Sequence, residues 1–235
     1  MNSAIIVAAG ASRRMGFDKL FTTLGDRPVI AHTLQAFQSS PVINEIIVVT
    51  HPDRFEAIEK LQTDHGLDQI TALIAGGRER HESVLNGLNA LNEACDYVAI
   101  HDGARPLISQ QDIAACMKIA KEHRAAACAR RITETVKRAD GNHRVTGSVD
   151  RTNLWAMQTP QIFERQLILD AYEAVSSKNL LVTDEVSAVE HFGESVILSQ
   201  SHHPNLKITF PQDIDLATQL LPYQSNAQIT GTRIL

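Results

Sequence analysis

The run Glu45-Ile46-Ile47-Val48-Val49-Thr50 carries nothing but apolar β-branched residues between its ends, so as a strand it has to be covered on both faces. Ile5-Ile6-Val7-Ala8 and the stretch over 70–75 have the same character. Between these runs the apolar residues recur at helical spacing instead. Val29, Ile30, Leu34 and Phe37 make one stripe over 28–37, with Pro28 suited to a first helical position. His51-Pro52-Asp53 turns the chain into a second helix over 54–64, and Val84, Leu88 and Leu91 mark a third. A fourth strand is expected over 96–101, then a helix capped by Ser109 with Ile113, Met117 and Ala120 inward, then a short strand over 125–129. Buried strands alternating with amphipathic helices predict an α/β domain whose mostly parallel sheet is covered on both sides.

Ligands of such sheets bind at the carboxyl ends of the strands. That rule selects 10–19, 76–83 and 102–105, where small residues and charges also concentrate. The first of these follows Ala8-Ala9-Gly10 and delivers Arg13, Arg14 and Lys19 in quick succession. Small residues let a ligand approach the backbone N–H groups while cations neutralise phosphate charge, so the stretch reads as a polyphosphate site or as a tight turn with surface arginines. It is not a Walker A loop, because Met15-Gly16-Phe17 stands where Gly-Lys-Ser/Thr belongs, and it lacks Gly-x-Gly-x-x-Gly spacing.

The net charge of −5 opposes a nucleic-acid coat or a membrane-surface protein, so an anionic ligand would have to be held by local cations. Three cysteines in apolar surroundings, with no Cys-x-x-Cys, suggest reduced structural thiols. With no room for a signal peptide before the first strand and no long apolar run, a cytoplasmic protein is expected.

The rhythm breaks at Arg130. Over 131–157 there is no helical stripe, and Asp140-Gly141 signals a turn between Val136 and Val145. An isolated two-stranded ribbon is marginally stable, so this β-arm is expected to pack on a second copy of the chain, with Trp155 anchoring its base. Further helices are expected over 165–175 and 184–192, strands over 195–200 and 206–209, and a last helix from Pro211-Gln212-Asp213. The tail over 223–235 lacks periodicity, leaving 1–222 as the domain.

Lys207, between Leu206 and Ile208, is either an ordinary edge lysine or a further cation for the phosphate site. Asp102 and Arg105 either tie down their own turn or present a carboxylate to magnesium or ribose. None of the ten histidines has metal-ligand spacing, and no Ser/His/Asp set or carboxylate pair stands out.

Taken together, Ala8-Ala9-Gly10 through Arg14-Met15, Gly76-Gly77 with Arg80 and Ser83-Val84, and His101-Asp102-Gly103-Ala104-Arg105-Pro106 form an ordered series. It continues with Asp150-Arg151, Leu154-Trp155, Gln158-Thr159-Pro160-Gln161, Thr183-Asp184-Glu185 and Asn205-Leu206-Lys207-Ile208-Thr209. In these blocks the chain resembles the 2-C-methyl-D-erythritol 4-phosphate cytidylyltransferases, which use CTP in the non-mevalonate isoprenoid pathway. It departs at Asp18-Lys19-Leu20, where Pro-Lys-Gln is usual, and at Arg78, where an acidic residue is frequent.

The resemblance implies a single Rossmann-like nucleotidyltransferase domain that dimerises through the arm and uses magnesium. It implies that Arg14, Lys19 and Lys207 stabilise the transition state and departing pyrophosphate. Ala8, Ala9, Gly10, Gly77 and Ser83 would hold the nucleotide, and Asp102 would lie by ribose and metal. Arg105, Thr135, Arg151 and Thr183 would grip methylerythritol phosphate, Thr135 and Arg151 reaching across the dimer and Thr183 contributing from the other subunit. The related ribitol-5-phosphate cytidylyltransferases share the CTP half, and a silent nucleotide-binding protein would have lost one of Arg14, Lys19 and Lys207.

Overall fold

The computed structural model of the chain describes residues 1–10, 15–178, 180 and 182–230, those from 224 onward as backbone only. β1 (Asn2–Ala8) is the opening apolar run, and a small ribbon of β2 (Thr23–Leu24) and β3 (Arg27–Pro28) leads into α1 (Val29–Gln38). β4 (Glu45–Thr50), a single 3₁₀ turn at Pro52–Arg54 and α2 (Phe55–His65) follow, then β5 (Ile70–Ala75), α3 (Arg80–Asn89), β6 (Tyr97–Asp102), α4 (Gln110–His123) and β7 (Ala125–Arg131). The second half holds β8 (Lys137–Ala139), β9 (Val145–Ser148), β10 (Trp155–Glu164), α5 (Arg165–Ser177), α6 (Glu185–Phe192), β11 (Ile197–Gln200) and α7 (Gln212–Thr230).

Seven strands make the central sheet in the order β11-β7-β10-β6-β1-β4-β5. All neighbours pair in parallel except β10, which runs antiparallel to both β6 and β7. Alternate residues of the two-faced strands divide as the pleat requires. Ile6, Ile46 and Val48 join a core with Leu34 and Phe37 of α1, Ile58 of α2 and Met117 of α4. Ile5, Ile47 and Val49 join the opposite core, with Val84 and Leu88 of α3, Leu167 and Tyr172 of α5, and Val189 of α6. Each such side chain, buried from water, contributes on the order of 2 kcal/mol to folding.

Helix ends follow local chemistry. Ser109 Oγ accepts the Asp112 N–H at 3.0 Å at the start of α4, and Asp184 caps α6 through the Ser187 N–H at 3.0 Å. The third helix ends at Asn89, so Leu91 is buried beyond it.

Two expectations are corrected, and one strand is added that the sequence patterns do not mark: β10 passes through the middle of the sheet. Pro160 is accommodated where the β7 register shifts between Met157 and Gln161. Residues 206–209 form no strand, because the single backbone bond from Ile208 N to Ala104 O, 2.8 Å, does not make a ladder. The last helix does not stop at Pro222 but continues to Thr230. Among the described residues no helix is long and apolar enough to cross a membrane.

Candidate active site

The carboxyl ends of β1, β5 and β6 open on a cleft of about 340 Å³, whose lining includes Ala8, Ala9, Lys19, Arg80, Asp102 and Lys207. Two loops meet closely at its wall: a Cβ on Gly76 would lie 2.2 Å from the Ala9 Cβ, so only glycine permits that approach. A larger cavity, about 790 Å³, lies away from these strand ends beside His32 and His203. There Arg27 is already neutralised by Asp26 at 2.8 Å, which makes the smaller cleft the better seat for an anion.

Asp102 is the centre of the cleft. It ends β6, is 6 % exposed, and meets three cations. Lys207 Nζ lies 2.9 Å and Arg105 Nε 3.1 Å from Oδ2, while Arg80 lies 3.5 Å from Oδ1. Burial alone would raise its pKa, but Lys207, Arg80 and Arg105 overcome it and hold the carboxyl far below the usual carboxylate range. Its N–H donates to Thr159 Oγ1 at 3.1 Å, and that oxygen lies 3.0 Å from His101 Nδ1. Burial drives the His101 pKa down to about 3, so the imidazole is neutral and structural.

The other sequence-predicted residues divide into three groups. Lys19 stands in the cleft, its Nζ donating to Ile208 O at 2.8 Å. Two lysines from the first and last parts of the sequence, 19 and 207, therefore line the same cleft. Ala8, Ala9, Gly10, Gly77 and Ser83 also line the cleft. Ser83 is buried with its hydroxyl engaged inward, accepting from Gly77 N at 3.0 Å and donating to Glu79 O at 3.1 Å. Arg105 is buried and tied to Asn205 O at 2.9 Å as well as to Asp102.

Thr135 and Arg151 are outside this assembly. Both are exposed on the arm, where Arg151 donates to Thr133 O. Thr183 is exposed two residues before the start of α6 and lies 3.2 Å from Ser187 Oγ. Arg14 falls outside the described residues.

Two arginines given no role by the sequence patterns support the cleft, Arg80 in its lining and Arg54 at the first loop. Arg80 donates to both carboxylate oxygens of Glu185, at 2.5 and 3.0 Å, and Glu185 is fully buried. Burial would lower the arginine's pKa, but Glu185 raises it above its ordinary value. Arg54 holds the base of the first loop, with Nε 2.8 Å from Asp18 and NH1 donating to Ala8 O at 2.7 Å. Asp18, the residue that departs from the usual Pro-Lys-Gln, thus has its own partner.

Among the described residues no group of three or more His, Cys, Asp or Glu side chains could hold a metal. Asp102 offers one carboxylate, whose Oδ1 has a long contact to Arg80 at 3.5 Å. A lone carboxylate fits magnesium only where substrate phosphates complete the sphere, which is its common manner of binding. Chemically the cleft offers positive charge, a small-residue backbone and, among the described residues, no general base, an arrangement suited to phosphoryl chemistry by positioning.

Comparison with known proteins points the same way. The family model for 2-C-methyl-D-erythritol 4-phosphate cytidylyltransferase matches residues 2–222. A protein of that name from Alkaliphilus oremlandii is 39% identical over 222 residues, covering 93% of this chain and 94% of the relative. One from Clostridioides difficile is 38% identical over 237 residues, covering 99% of each. Among solved structures, a 4-diphosphocytidyl-2C-methyl-D-erythritol synthase from Anaerococcus prevotii superposes with a TM-score of 0.82 at 29% identity, covering 94% of this chain and 98% of that one. A Francisella tularensis 2-C-methyl-D-erythritol 4-phosphate cytidylyltransferase gives 0.78 at 31%, covering 95% and 100%.

Proposed function

The chain belongs to the 2-C-methyl-D-erythritol 4-phosphate cytidylyltransferase family, and from that premise we propose how its residues share the reaction. The activity is cytidylyl transfer to 2-C-methyl-D-erythritol 4-phosphate, giving 4-diphosphocytidyl-2-C-methyl-D-erythritol and pyrophosphate in isoprenoid biosynthesis. The cytidylyl donor in this reading is CTP.

A phosphate oxygen of the acceptor attacks the α-phosphorus of CTP, the bond to the β-phosphate breaks, and pyrophosphate carries away the electron pair. The nucleophile is already an anion, so the barrier lies in bringing like charges together and stabilising what builds up on phosphorus. Lys19 and Lys207 supply that charge, joined by Arg14. Lys207, on a flexible stem and 41 % exposed at its side chain, turns from Asp102 to the phosphates when they arrive. The small residues at 8–10 and Gly77 admit the nucleotide close to the backbone, with Ser83 fixing the Gly77 amide behind it. Asp102 would hold the ribose side and, with the phosphates, a magnesium ion, which would neutralise phosphate charge and orient the leaving group.

The acceptor is held by Arg105, Thr183 and, from a second subunit of a homodimer, Thr135 and Arg151 of the arm over 131–157. The exposure of both arm residues in the single chain supports that division. The three cysteines are unpaired and buried, which suits a reducing cytoplasm.

The observation that carries the reading is the meeting of Lys207, Arg80 and Arg105 on one buried carboxylate beside Lys19. Incubation with CTP and magnesium, with pyrophosphate followed for each polyol phosphate, tests it. Turnover with methylerythritol phosphate is expected; turnover with ribitol 5-phosphate alone would assign the chain to the other acceptor.

A further inference from the structure

Glu185 is the first residue of α6, has no exposure, and lies behind the residues that line the cleft rather than among them. A buried carboxylate persists only where partners hold it. Here Arg80 NH1 donates to Oε1 at 2.5 Å, Arg80 NH2 donates to Oε2 at 3.0 Å, and the Tyr172 hydroxyl donates to Oε1 at 3.2 Å. Burial and the neighbouring Glu185 charge push the Tyr172 pKa well up, so the phenol stays protonated and remains a donor.

A guanidinium held at two nitrogens by one carboxylate has its plane and reach fixed. The same NH2 that donates to Glu185 reaches Asp102 Oδ1 at 3.5 Å, the oxygen that neither Lys207 nor Arg105 uses. Arg105 is in turn restrained by Asn205 O. Two of the three cations on Asp102 are thus set from behind, while among the described residues Lys207 has Asp102 as its only ion-pair partner. An ordinary helix-to-helix brace between α3 and α6 would explain the Arg80–Glu185 pair, but not why its guanidinium opens onto the cleft against Asp102.

We propose that Glu185 is a positioning residue for cytidylyl transfer: by gripping Arg80 it stops that guanidinium from collapsing onto Asp102 or the phosphates, and so leaves Lys207 as the cation free to exchange between them. This rests on the role given above to Asp102 and Lys207. Without the Glu185 charge, Arg80 is drawn forward and competes with Lys207. Ground-state binding of CTP is then kept or tightened while the step that needs Lys207 slows.

The test is a kinetic cycle on the full chain, with pyrophosphate release as the readout and CTP binding measured separately by calorimetry. Glu185→Gln is expected to lower kcat about 10-fold, as is usual for residues that orient a functional group, with the KM and Kd for CTP unchanged or lower. In an Arg80→Gln background the same substitution is expected to cost less than twofold, because its intermediary is gone. Tyr172→Phe, which leaves the Arg80–Glu185 fork intact, should stay within twofold of the unsubstituted protein. Should Glu185→Gln not fold, Arg80→Lys, which cannot be held by two parallel bonds, is expected to show the same fall in kcat at unchanged CTP affinity. A 10-fold loss that persists in the Arg80→Gln background overturns the proposal, as does a wild-type kcat in Arg80→Lys. An inactive unsubstituted protein would overturn the functional reading together with it, whereas an active one with a flat cycle removes Glu185 alone.

Discussion

Asp102 is buried among three cations that come from widely separated parts of the chain, whereas β8 is exposed along its length and pairs only with β9. The first region is braced on two sides, by Thr159 behind Asp102 and by Lys207 in front. The second buries little of itself, and Val145 is 66 % exposed. A ribbon of two strands is marginal alone in water. The buried charge cluster therefore sits where the fold provides rigidity, while Thr135 and Arg151 lie exposed on the arm. Expected losses should differ in kind between the two regions, in turnover at the centre and in acceptor recognition at the arm.

The largest effect is expected at the centre. Lys207→Ala should lower kcat on the order of 100-fold; near-wild-type turnover would remove Lys207 from the chemistry. On the arm, Arg151→Ala should raise the KM for methylerythritol phosphate about tenfold and leave that for CTP alone. Mixing Arg151→Ala subunits with Lys19→Ala subunits should restore one working site per mixed dimer, and no recovery would confine the acceptor site to a single chain.

Stability should separate the regions next. His101 sits in the core with its folded pKa, about 3, below the unfolded value. The unfolded chain therefore takes up the proton first as pH falls, and stability is lost below pH ~6.5, by up to about 1.4 kcal/mol per pH unit. Depressed Asp102 adds to the loss only further down, below its unfolded value. Melting without divalent cation from pH 7 to 4 should show this, and His101→Asn should flatten it. The smallest effect belongs to the hairpin: Val145→Ser should change monomer stability by less than ~0.5 kcal/mol in urea unfolding. A larger loss would mean that the ribbon supports the body and that the contrast is false.

The layered sheet was legible because β1, β4 and β5 are apolar on both faces, and no other environment suits such runs. The strand-end rule then led to Asp102 and to the loops at 10 and 76. β10 was not legible: Gln158, Thr159 and Gln161 look like loop residues until their partners are seen, such as Asp184 for the Gln161 amide at 3.0 Å. The Arg80–Glu185 fork spans 105 positions, and a single charge at either end carries no local sign of the other. Lys207 was legible as a candidate but not as a neighbour of Asp102, since residues 206–209 reach the sheet by one backbone bond rather than by pairing.

The placement of β10 has a consequence for the growing chain. β6 and β7 are both made before it, yet they lie on either side of it and pair with it rather than with each other. Until Glu164 has left the ribosome, the nascent protein holds two strands with an open lane between them, β6 unpaired along one edge and β7, whose other neighbour β11 is made later still, along both. Such edges invite pairing with the wrong chain. The interval before β10 is made is therefore the one in which mispairing is most favoured, and a chain cut short before Trp155 should aggregate rather than persist as a smaller nucleotide-binding fragment.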